Sequence, residues 1–141
     1  MRVAAIQMNS GAELAKNLQL VGQLLSDAAL DGCTLAVLPE NFALMPERGR
    51  DKSKHAEQPG TGPIQAFVSE CAARHGMWII AGSMPLESPE PERVYGACLV
   101  VDDHGETRAM YRKIHLFDVD LPDREESYRE SHSMYAGDEP M

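Results

Sequence analysis

The chain has 141 residues, 43% of them hydrophobic and 25% charged, the size of one ordinary domain or of part of a larger one. Its formal net charge of -9 argues against nucleic acid and anionic membrane surfaces as partners, because polyanions repel such a chain. Three widely spaced cysteines without a CxxC (Cys33, Cys71 and Cys98) argue against a disulfide framework or a zinc site and suit free thiols in a reducing compartment. No apolar run approaches the roughly 18 residues of a membrane span, and the apolar start is too short for a signal-peptide core, so a cytoplasmic location is expected.

In chain order, the apolar run Arg2 to Met8 predicts a first strand ending at Asn9-Ser10-Gly11. Leu14, Leu18, Val21, Leu25 and Ala28 recur at steps of three to four residues, which predicts an amphipathic helix within 12–31, stopped by Gly32. The run Thr34 to Leu38 has no polar side along most of its length and reads as a strand buried on both faces. Residues 45–60 read as a long surface loop with at most a turn of helix. A second helix begins at Pro63, capped by Thr61 or Gly62 and closed by Gly76, with Ile64, Phe67, Val68, Cys71 and Ala72 as its buried stripe.

Met77 to Met84 predicts another apolar strand, followed by a Pro/Glu-rich loop to Pro91. Strands over 94–101 and 106–112 flank Asp102-Asp103-His104-Gly105, a turn of the kind that joins antiparallel neighbours. After Lys113 the sequence is polar and reads as irregular to its end. The expected order is β-α-β-α-β-β-β, an α/β layered arrangement with a mostly helix-covered sheet.

Two positions stand where α/β sheets carry functional groups, at the carboxyl ends of strands. Glu40 follows an all-apolar strand with only Pro39 between. Bordered by Leu38 and Phe42, its carboxylate is expected to be partly desolvated, as suits a general base. Lys113 ends the strand before it, where an ammonium can hold a developing oxyanion or a nearby carboxylate. Arg112 should point to the opposite face, since side chains alternate. Taken singly, each is more readily an ordinary surface charge.

Together they read differently. Leu35-Ala36-Val37-Leu38-Pro39-Glu40-Asn41, followed about seventy residues later by Tyr111-Arg112-Lys113-Ile114-His115-Leu116-Phe117-Asp118, resembles the carbon–nitrogen hydrolase (nitrilase) superfamily. The opening strand, the first helix and Trp78-Ile79-Ile80-Ala81-Gly82 agree in order and spacing, so the resemblance covers nearly the whole chain. The second motif with Ser127-Tyr128-Arg129-Glu130-Ser131 is most similar to the Nit branch, amidases acting on omega-amides of dicarboxylic acids or on deaminated glutathione.

The resemblance implies the N-terminal part of a nitrilase-type α-β-β-α sandwich, an α/β fold in which two sheets pack face to face between helix layers. It implies Glu40 as general base, Lys113 as the lysine that stabilises the tetrahedral intermediate, and Glu130 as the second glutamate that orients lysine and substrate. Glu125 and Glu126 remain alternatives for that last role. It implies a small amide as substrate, no metal or other cofactor, and a homo-oligomer in the complete protein.

The family's nucleophile is a cysteine on a later strand, and nothing here matches it: Cys33 precedes the base, Cys71 lies on a helix stripe and Cys98 within a strand. The expectation is therefore a domain truncated before its nucleophile and inactive alone. A non-catalytic α/β module for binding or assembly is the alternative from another class; nitriles and N-carbamoyl compounds are the alternatives in substrate. His115, Asp118 and Asp120 match no standard metal-ligand frame. Gly60-Thr61-Gly62 lacks the context of a phosphate loop and reads as a helix start.

Overall fold

The computed structural model describes residues 1–121 and 126–140, and of residue 126 the backbone alone. Five strands form one sheet in the order β1 (Val3–Ala5), β2 (Leu35–Leu38), β3 (Trp78–Glu87), β4 (Val94–Val101) and β5 (Thr107–Arg112). The first three are parallel, joined through helices α1 (Leu14–Leu30) and α2 (Pro63–His75), while β4 and β5 each pair antiparallel with the strand before. Two reversals return β5 to the direction of β2. The carboxyl ends of these two strands therefore open on the same edge of the sheet.

The core follows from the helical stripes. Val21 and Leu25 of α1 and Ile64, Val68, Cys71 and Ala72 of α2 join Ala36, Leu38, Ile79, Ala81 and Leu99 of the sheet in one buried cluster. Gly76 ends α2 in the left-handed conformation at φ 58°, which a glycine adopts without the clash a side chain brings. The other end of α2 starts at the expected glycine, but its free amides are held from elsewhere. Gly62 occupies the cap position but has no side chain to cap with, and Thr61 does not cap either. The buried Glu57 carboxylate does so from outside, accepting from Ile64 N at 2.6 Å and Gln65 N at 3.1 Å, where unpaired amides and the helix dipole favour negative charge.

Four other expectations differ from the structure. The run over 34–38 is not buried on both faces: Ala36 and Leu38 are fully packed against the helices, but Leu35 and Val37 are only half-buried. Paired rows carry that open face across the sheet, Val3–Leu35–Trp78 in one and Ala5–Val37–Ile80–Val100–Ala109 in the next. Trp78 is 40% exposed, Val3 48%. The third strand runs on to Glu87, through an irregularity between Ala81 and Met84 that lets Pro85 pair with Gly96.

The residues after Lys113 are not irregular throughout. β6 (Asp118–Leu121) and β7 (Glu126–Arg129) form an antiparallel hairpin, and a short 3-10 turn, Glu130–His132, follows. Its polar alternation hid it, since the hairpin is held on one side by the Phe117 and Tyr128 rings, 5.9 Å apart, and on another by the ion pair of Arg129 with Asp120. A longer 3-10 segment, Gly49–His55, occupies the loop where a turn of helix was expected. No described helix is long and apolar enough to cross a membrane.

Candidate active site

Glu40, Lys113 and Glu130 meet. Lys113 Nζ donates to Glu40 Oε1 at 2.9 Å, and it lies 3.1 Å from Oε1 and 3.0 Å from Oε2 of Glu130. Three separate elements deliver them. Glu40 is the second residue beyond β2, Lys113 the first beyond β5, and Glu130 the first beyond β7. The end of β5 is fixed by Lys113 N donating to Gly96 O at 2.9 Å and by Gly137 N donating to Lys113 O at 2.8 Å. Arg112 turns the other way, as alternation requires, and lies over the Tyr95 ring at 4.6 Å.

Glu130 is held twice more. Its Oε2 accepts from Phe117 N at 2.6 Å, and its own amide donates to Phe117 O at 3.2 Å. The hairpin thus closes on itself and presents this carboxylate to the lysine. Of the alternatives for the second glutamate, Glu125 lies outside the described residues, and so does the side chain of Glu126.

Burial within the cluster is uneven. The side chains of Lys113 and Glu130 are 25% and 17% exposed, whereas that of Glu40 is 56% exposed. The desolvation expected at Glu40 is therefore absent among these residues: Phe42 turns into the core instead of over the carboxylate. At Lys113, burial alone would lower the ammonium's pKa, but the hydrogen bonds and charges of Glu40 and Glu130 outweigh it and raise the pKa above the ordinary lysine range.

The sequence reading missed Lys52. It lies in the 3-10 segment, is buried, and donates from Nζ to Asn41 Oδ1 at 2.8 Å. Asn41 follows Glu40 directly and is the one non-glycine residue with positive φ among those described, at 57°. Its amide donates to Ser83 Oγ at 3.2 Å. Asparagine tolerates this conformation better than most residues, so Asn41 carried a usable signal. Lys52, in a run of surface-like charges, carried none.

These groups line an open hollow of about 400 Å³, with Glu40, Lys52, Lys113 and Glu130 on its charged side and Phe117 and Tyr128 on its apolar side. No cysteine lines it; Cys71 is buried on α2, and Cys33 and Cys98 are half-buried elsewhere. Asp118 and Asp120 serve the hairpin, the first accepting from Ser131 N at 3.0 Å and the second pairing with Arg129. No cluster of metal-ligating side chains occurs among the described residues.

The comparison with known families gives one match over nearly the whole chain. The model of the carbon–nitrogen hydrolase family matches residues 2–141. The chain belongs to the carbon–nitrogen hydrolase family.

Its relatives include the deaminated glutathione amidase of Yersinia enterocolitica, 40% identical over 137 residues, which cover 96% of this chain and 47% of that protein. Human omega-amidase NIT2 is 32% identical over 138 residues, 97% of this chain and 48% of the relative. Among solved structures, the C. elegans NitFhit protein superposes with a TM-score of 0.82 at 28% identity, over 97% of this chain and 33% of that one. An amidase from Nesterenkonia sp. shares the fold, with a TM-score of 0.78 at 23% identity over 99% of this chain and 49% of that one. The fold is thus that of the Nit-type members of the nitrilase superfamily, and the chain spans about half the length of the curated relatives it matches.

Proposed function

We propose that this carbon–nitrogen hydrolase chain supplies the acid–base and oxyanion-holding parts of an amidase that converts a small linear carboxamide to carboxylate and ammonia. Lys113 held between two carboxylates at 2.9 to 3.1 Å is the observation that carries the reading. Glu40 is the general base, Lys113 the cation for the tetrahedral intermediate, and Glu130 the residue that keeps Lys113 aimed. The amidase names of the relatives support the class of reaction.

The chemistry needs a nucleophile, and no cysteine of the described residues lines the hollow. A cysteine thiol provided by further sequence would give its proton to Glu40, and its sulfur would form a bond to the amide carbon. The oxyanion so formed takes its countercharge from Lys113, in a site already arranged to receive it. Glu40 then returns the proton to nitrogen, the C–N bond breaks, and ammonia leaves a thioester. Water attacks the thioester with Glu40 again taking a proton; the C–S bond breaks, and thiol and carboxylate are restored. On this reading the chain alone is inactive; a cytoplasmic setting, a small-molecule substrate and cofactor-free chemistry belong to the same proposal. The complete protein assembles as a homo-oligomer.

Ammonia release tests the reading. The protein extended through whatever its gene encodes beyond Met141 should hydrolyse monoamides of short dicarboxylates or deaminated glutathione, in preference to nitriles and N-carbamoyl compounds. The 141-residue chain should release none. Turnover by the short chain would contradict the assignment of an external thiol. A stable extended protein without activity toward any of these compounds would favour a non-catalytic module.

A further inference from the structure

We propose that Lys52 is a positioning residue of this site: its ammonium clamps Asn41 in the left-handed turn that aims Glu40 at Lys113, and it supplies the second positive charge of a four-group cluster. The inference rests on the reading of Glu40 and Lys113 as the working pair.

Burying an ammonium is costly unless something in the fold uses it. Lys52 is buried to 9% exposure, yet the only hydrogen bond described for it is the 2.8 Å bond to Asn41 Oδ1. That bond reaches the residue that follows Glu40 directly in the chain. Asn41 stands at φ 57°, a conformation that costs an asparagine energy and persists where neighbours over-determine it. Two neighbours do so here, Ser83 at its amide and Lys52 at its side chain.

Charge gives the second argument. Glu40 and Glu130 bring two negative charges to one lysine, and Lys52 brings the balancing one. The ammonium of Lys52 is pushed below the ordinary lysine range by burial and by the charge of Lys113, against the opposing pull of Glu130 and Glu40. Glu47 and Arg129 line the same hollow, and Asp51 and Lys54 flank Lys52 on its own turn. The two lysines thus sit in one field with opposite outcomes, Lys113 raised and Lys52 lowered.

These opposite outcomes yield a test that does not depend on turnover. Lysines labelled with ¹³C at Cε are titrated by NMR in the 141-residue chain and in Lys52→Met, Lys52→Arg and Asn41→Gly. If Lys52 contributed charge alone, its removal in Lys52→Met would relieve repulsion and move the Lys113 midpoint up. If it positions Glu40, the contact of Glu40 with Lys113 is lost and the midpoint moves down, toward the ordinary lysine value. Lys52→Arg should restore the wild-type Lys113 midpoint, and Asn41→Gly, which tolerates positive φ but lacks the acceptor, should reproduce the downward shift with Lys52 intact. An upward or absent shift of Lys113 in Lys52→Met, or an unshifted midpoint in Asn41→Gly, would overturn the proposal. An extended protein that lacks amidase activity would refute the proposed function and leave these titrations to decide the role of Lys52.

Discussion

Lys113 Nζ lies 2.9 Å from Glu40 Oε1 although the two residues are 73 positions apart and follow strands that are not neighbours in the sheet. The contact exists because β4 reverses the chain and β5 restores its direction, so that both strand ends reach the same edge. Glu130 arrives there by a different route, on a hairpin outside the main sheet.

The two lysines give stability opposite slopes with alkaline pH. Lys113 binds its proton more tightly folded than unfolded, so its contribution is complete below the ordinary lysine value of about 10.4 and is lost as pH rises through its higher folded value. Lys52 binds its proton less tightly when folded, so its burial cost is fully present below its folded value and relieved as pH rises toward about 10.4. Thermal unfolding followed against pH should show Lys52→Met flattening the rise below that value and Lys113→Met flattening the fall above it. The reverse assignment of the two slopes would contradict the burial and pairing described.

Asp102 governs the acid side. It is buried at the β4–β5 turn and accepts from His104 N at 3.0 Å, Glu106 N at 2.9 Å and Arg108 Nε at 2.6 Å. Burial by itself would raise its carboxyl, but these bonds and the Arg108 charge hold it below the usual carboxylate value. Its stabilisation is therefore present above about pH 3.9 and lost as pH falls through the folded value. Asp102→Asn should be less stable at neutral pH and show a shallower loss on acidification, measured by denaturant unfolding at each pH.

Gly62 should resist substitution. Its φ is 122°, and a Cβ there would overlap the Glu57 carboxyl that caps α2. Gly62→Ala should cost about 1–3 kcal/mol through the strained backbone, with displacement of the cap adding to it. A shift of the urea midpoint indistinguishable from zero would mean that Glu57 does not hold the helix start as described.

The incompletely covered face of the sheet makes a prediction for the chain as it stands. Val37, Ile80 and Val100 form a continuous row with little above it, flanked by the exposed Trp78. An apolar strip of this extent binds hydrophobic dyes and promotes association. The 141-residue chain should enhance ANS fluorescence, and Val37→Thr with Ile80→Thr should reduce the signal while leaving the helix-side core intact. A chain that stays monomeric and binds no dye would contradict it.

Much of this was legible in the residues, for identifiable reasons. The stripe of α1, the glycine stop of α2 and the Asp102–Gly105 turn are local signals, and the strands they separate appear in the expected order, although β1 is shorter and β3 longer than the apolar runs suggested. Glu40 and Lys113 were legible because each directly follows a strand, an all-apolar one for Glu40, and because their two motifs together resemble one family. What was not legible depended on distant partners. Glu57 reads as a loop acid until α2 is seen to start beside it, and Lys52 as a surface lysine until Asn41 folds over it. The β6–β7 hairpin hides because its strands bury little. The half-covered face of β2 hides because an apolar run says that a strand can be buried, not what covers it.

The proposed convergence of Glu40 and Lys113 on one amide carbon is open to measurement. Its most direct test is the turnover number of Glu40→Gln and Lys113→Ala in the extended protein, assayed by ammonia release with folding checked by circular dichroism. A general base and an oxyanion cation each contribute about 10²- to 10⁴-fold, so both variants should lose at least two orders of magnitude while keeping the wild-type spectrum. Near-normal turnover in either variant would contradict the account.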